Sequence, residues 1–113
     1  MFNLKENANN FVMISWYVDE LKDKLIINSV NEGHYTKEDK ENVIKNIIDT
    51  HPIPDITIVK ENDKFKLIDG VKRLSAINDF VDGKITYEGQ NYNDLNEDLK
   101  QSFLGYQLCI RLI

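Results

Sequence analysis

The sequence predicts an α+β domain with strands and helices interspersed along one chain. Three observations carry this. A β-prone run, Phe11 to Val18, opens the ordered part of the chain. A capped amphipathic helix and a strand hairpin follow, separated by prolines. A strand, a glycine turn and a second helix then succeed one another at Leu67 to Ile77.

With 113 residues, 42% of them hydrophobic, the chain has the size of one domain with a single core. That length does not accommodate a binding domain and a separate catalytic domain. Residues 1–10 are polar and Asn-rich and are expected to be loosely held. After Phe11–Val18, the stretch Asp19–Lys24 is compatible with a helix, and Leu25–Asn28 is a short apolar run that favours a strand. Asn31–Tyr35 reads as a loop.

The next helix is well signalled. Thr36 is placed to cap it, with Asp39 at the third helical position as in a capping box. Val43, Ile44, Ile47 and Ile48 form one apolar stripe. Pro52 and Pro54 stop the helix and make His51–Pro54 an extended connector, because proline lacks a backbone donor and disfavours helix in the residue before it. Ile56–Lys60 and Lys64–Asp69 are strands joined by a turn at Glu61–Asp63. In the second strand Phe65 and Leu67 face one way, Lys64 and Lys66 the other.

A helix is expected from Val71 to Val81, with Leu74, Ile77 and Val81 on its apolar side and Asp82-Gly83 as a left-handed cap. Ile85–Glu88 is expected as a short strand. Asp94, with Glu97 three residues on, gives another capping signature, ahead of Leu95, Leu99 and Phe103 at helical spacing. Gly105 closes that helix, and Tyr106–Ile113 is a terminal strand.

Charge and composition limit the function. Net charge is −5 and the pI is near 5.0, which argues against broad nucleic-acid binding but allows a local basic pocket. The single cysteine, Cys109, lies in an apolar run and is expected to be a buried small hydrophobe, so neither a disulfide nor a cysteine zinc site is expected. The two histidines, His34 and His51, are far apart and form no metal signature. His51 precedes a proline and reads as structural. No stretch approaches the roughly 20 apolar residues of a membrane span, and no signal peptide is evident, so a cytoplasmic location is expected.

The chemistry-bearing stretch is Asp69-Gly70-Val71-Lys72-Arg73-Leu74-Ser75. A helix start exposes backbone N–H groups without partners and carries the positive end of the helix dipole. Glycine permits close approach, and Lys72 and Arg73 add charge, so a phosphate or other anion suits the position. Two cations at a helix start run against the dipole, which favours a binding role over solvated charge. Asp69 would either cap the helix or contact a ribose or metal. The residues single out no catalytic pair.

From Ile47 onward the chain resembles the N-terminal domain of GmrSD-type restriction systems, within the ParB/sulfiredoxin-like superfamily. The resemblance is carried by Pro52-Ile53-Pro54, by Asp69–Ser75 against the family's D-G-Q-Q-R-L-T, and by Phe80-Val81-Asp82-Gly83 against F-L-x-G. Tyr92–Leu95 and Phe103–Tyr106 extend it. It implies a small mixed sheet with packed helices, and a single domain over 1–113. It also implies a strand-turn-helix that binds nucleotide phosphates through Asp69, Gly70, Lys72, Arg73 and Ser75, with Glu32 and His34 as pocket-lining residues. The ligand implied is an NTP, with Mg2+ accompanying it.

The family's two glutamines are Val71 and Lys72 here, and the arginine of its upstream motif is missing. A downstream R-L-N-x-G segment and a nuclease cluster are also missing. These departures argue against nuclease activity and leave weak NTP hydrolysis as the enzymatic alternative. A regulatory or defence-related binding module is the reading that results. Its rival is an acidic protein-interaction module, such as a phage or mobile-element accessory protein that blocks a host nuclease.

Overall fold

A computed structural model describes residues 12–21, 26–28 and 35–113. The chain is α+β. Strand β1 (Val12–Tyr17) runs into a single helical turn, α1 (Val18–Leu21), followed by β2 (Ile26–Asn28). Helix α2 (Lys37–Ile48) leads through the proline connector to β3 (Ile56–Glu61) and β4 (Lys64–Asp69). Helices α3 (Val71–Val81) and α4 (Glu97–Leu104) follow, with a 3-10 turn (Tyr92–Asp94) between them, and β5 (Gln107–Leu112) completes the sheet.

Among the described residues the sheet has five strands, in the order β1-β5-β3-β4-β2. Pairing is mixed: β1 with β5 and β3 with β4 are antiparallel, while β3 with β5 and β2 with β4 are parallel. Alternation along the strands puts Trp16, Ile56, Ile58, Leu67, Leu108 and Ile110 into the core. There they meet Ile44 and Ile47 of α2, Ala76, Ile77 and Phe80 of α3, and Phe103 of α4. Phe80, Phe103 and Tyr92 form an aromatic cluster, with Phe80 set edge-on to both others at 5.1 and 5.7 Å between ring centres.

The helix ends follow from local chemistry. The Thr36 hydroxyl accepts from Asp39 N–H at 3.0 Å, and Asp39 Oδ2 accepts from Thr36 N–H at 3.2 Å, a complete capping box. At the other end of α2, His51 N–H reaches Asn46 O and Thr50 N–H reaches Ile47 O, with Thr50 left-handed at φ 60°. Helix α3 ends the same way around Gly83, as its Asp-Gly sequence predicts. The β3–β4 hairpin turns at Asn62 and Asp63, both at positive φ.

Three expectations are corrected. Ile85–Glu88 forms no strand. Only Tyr87 and Gln90 bridge, around a tight turn with Glu88 and Gly89 at positive φ, and the segment bonds to α2 instead of the sheet. Thr86 N–H and hydroxyl both donate to Glu41 Oε2, at 2.8 and 3.0 Å. Helix α4 is capped by Asn96, whose side chain accepts from Leu99 N–H, and not by Asp94, which the 3-10 turn takes up. Cys109 is exposed. It alternates with the buried Leu108 and Ile110, so its side chain falls on the open face of the sheet. Among the described residues no helix is long and apolar enough to cross a membrane.

Candidate functional site: the start of α3 and its cleft with α2

Strand β4 delivers the chain to Asp69, and Gly70 then turns it into α3. Gly70 is the N-cap residue, at φ 118° and ψ 21°, and no side chain caps the helix. Of the two roles expected for Asp69, capping α3 is corrected: at φ 118° the chain turns between Asp69 and the helix, and Asp69 remains exposed. The first turn contains no acidic residue either. Its leading N–H groups therefore have no side-chain cap among the described residues at the positive end of the dipole.

A side chain at Gly70 would meet Ile56. A Cβ there would lie 3.1 Å from Ile56 Cγ1 and 3.4 Å from an Arg73 terminal nitrogen. Arg73 folds back along this turn. Its Nη2 donates to Asp55 O at 2.6 Å and lies 3.9 Å from Asp69 Oδ2. The Arg73 side chain is 13% exposed, and its Nε is buried without a hydrogen-bond partner among the described residues. Lys72 extends toward Tyr35, with Nζ 6.0 Å from the ring centre.

Between α2, the Ile53-Pro54 connector and the start of α3 lies a cavity of about 170 Å³. Lys72 and Arg73 form one wall. Asp39, Asn42 and Asn46 come from α2. The structure thus brings Lys72 and Arg73 together at one cavity, with Gly70 packed against Arg73. Asp69 and Ser75 are not in the cavity wall: Asp69 is 76% exposed, and Ser75 is buried within α3's inner side. Glu32 and His34 lie outside the described residues. His51 is exposed, and its carbonyl accepts from the Tyr106 hydroxyl at 2.6 Å.

Asn42, Asn46 and Asp39 did not stand out from sequence as site residues. The signal is nonetheless present: 39, 42 and 46 fall at i, i+3 and i+7, a polar stripe beside the apolar one on α2. Nothing in the sequence marks the carbonyl of Asp55 as the anchor for Arg73.

A second polar cluster sits at the far end of α2. Tyr87 Oη donates to Asp49 Oδ1 at 2.9 Å, and Lys45 Nζ lies 3.2 Å from both Asp49 and Glu88. The Tyr87 hydrogen bond, aided by Lys45 and opposed by burial, holds the Asp49 carboxyl below its ordinary range. Burial and the same bond push the Tyr87 hydroxyl up. Every member has its partner, so this cluster staples the 85–90 turn to α2.

Compared with protein-family models, with curated proteins and with solved structures, the chain finds no match.

Proposed function

We propose that this chain is a small nucleotide- or anion-binding domain of the GmrSD N-terminal, ParB/sulfiredoxin-like kind, serving as a regulatory or defence-related module and not as a nuclease. One observation carries the reading. Helix α3 opens on a positive-φ glycine with its amides uncapped and no acid in the first turn, and Lys72 and Arg73 flank that opening. This set of groups suits a phosphate: backbone donors and a dipole at the helix start, with an ammonium and a guanidinium carried by its first turn.

An NTP, with Mg2+, would place its phosphate chain there, the base and ribose lying outside a cavity too small for a whole nucleotide. The test is thermal unfolding with each of the four NTPs and Mg2+. A ligand at ten times its Kd stabilises by about 1.4 kcal/mol, a rise of several degrees for a domain of this size. Lys72→Ala should remove most of the rise. No shift with any of the four overturns the reading.

One observation favours the rival, a protein-interaction module with a decayed pocket: the Asp55 carbonyl already occupies one terminal nitrogen of Arg73. The same NTP series separates the two.

A further inference from the structure

We infer that the cleft between α2 and α3 is a subsite for a single phosphoryl group, with Asn42 and Asn46 of α2 as its neutral contacts and Lys72 and Arg73 as its cations. The inference rests on the reading of the α3 start as an anion site and says which group enters and what holds it. Four side chains that can donate line one small cavity; Arg73 is partly engaged by Asp55, and the other three make no hydrogen bond or ion pair to a described residue. Arg73 Nε is buried and has no hydrogen-bond partner among the described residues. Such a donor is costly to leave unmade, so the Arg73 guanidinium is incompletely satisfied where the residue borders the cleft.

Lys72 makes no ion pair among the described residues and is engaged only with the Tyr35 ring. The side-chain amides of Asn42 and Asn46 have no hydrogen bond to any described residue, although Asn46 is half-buried. They stand one helical turn apart on α2, facing the basic wall across the cleft.

The shape and charge of the cleft narrow the ligand class. At about 170 Å³ it admits a head group, not a nucleoside. Donors approach from two helices, which suits the several oxygens of a tetrahedral phosphoryl group better than the two oxygens of a planar carboxylate. Asp39 also lines the cavity, and its Oδ2 is tied to Thr36 N–H. A carboxylate there disfavours a fully ionised ligand and favours one keeping a P–OH or a neighbouring hydroxyl, for which it can accept. Free phosphate, a sugar monophosphate and the terminal phosphate of an NTP share this chemistry.

The test uses the full chain, labelled with 15N, and titrations with inorganic phosphate, a sugar monophosphate, an NTP and, as a planar control, acetate. Phosphate should move the side-chain NH2 signals of Asn42 and Asn46, with acetate acting far more weakly. Asn42→Ala/Asn46→Ala should bind phosphate about tenfold or more weakly, since each lost bond to a charged ligand is substantial. The double variant should keep its unliganded melting temperature, because alanine is the better helix former.

Phosphate that leaves both amide signals unmoved, or acetate that moves them equally, overturns the inference. NTP stabilisation that persists undiminished in the double variant overturns the cleft and leaves the reading of the turn standing. Phosphate-shifted Asn amides with no effect of any NTP do the reverse.

Discussion

At Gly70 two independent constraints meet. The φ of 118° lies where side chains are strained, and the space a Cβ would need is held by Ile56 and the Arg73 guanidinium. Gly70→Ala should therefore destabilise the fold by about 1–3 kcal/mol. A lower urea midpoint with an unchanged m-value would show it; an unaltered midpoint would mean that the turn relaxes freely. The glycine turn was legible in the sequence because strand pattern, Asp-Gly and helix pattern abut there. The posture of Arg73 was not legible. Its anchor is a carbonyl 18 positions earlier, just before another strand, and backbone acceptors carry no residue-type signature.

At the scale of elements, legibility tracked how local the deciding interaction is. The capping box of α2 and the glycine cap of α3 lie within a few residues of sequence and could be read directly. Ile85–Glu88 has strand-prone residues, yet its neighbours are Glu41 and Asp49 on α2, some forty positions away. No local pattern could supply that. Asp94 and Asn96 both suit a cap, and the 3-10 turn at Tyr92–Asp94 settled the choice by moving the helix start two residues on.

The staple between that turn and α2 has a pH signature. Because the folded state holds the Asp49 carboxyl below its ordinary range, the stabilisation is present above pH about 4 and is lost as pH falls through the depressed folded value. Tyr87→Phe removes the largest cause. The variant should be less stable at neutral pH, and its stability should fall less steeply on acidification. Urea midpoints taken from neutral to acid pH would show this, and parallel curves for the two proteins would contradict it.

Among the described residues, the helices form a layer on one face of a mixed sheet, and the other face is more open. Met13 and Tyr17 of β1 and Cys109 of β5 are exposed. Native protein should thus react with a thiol reagent at Cys109 at a rate little raised by denaturant. A rate limited by unfolding would indicate that the face is covered. The expectation of a buried cysteine came from its apolar neighbours, and strand alternation reverses it: Leu108 and Ile110 take the core, leaving the residue between them outside.

The strand order has its own bearing on how the structure assembles. Strand β5 lies between β1 and β3, so among the described strands β1 reaches the rest of the sheet only through β5. Val12 pairs with Leu112, across nearly the whole chain. The β3–β4 hairpin can close early from nearby residues, but among the described strands β1 docks on β5 alone. Such distant pairings carry a large loop-closure cost before they stabilise anything, which slows folding. The same wiring makes the sheet fail as a unit: loosening β5 releases β1 with it, so two strands are held or lost together.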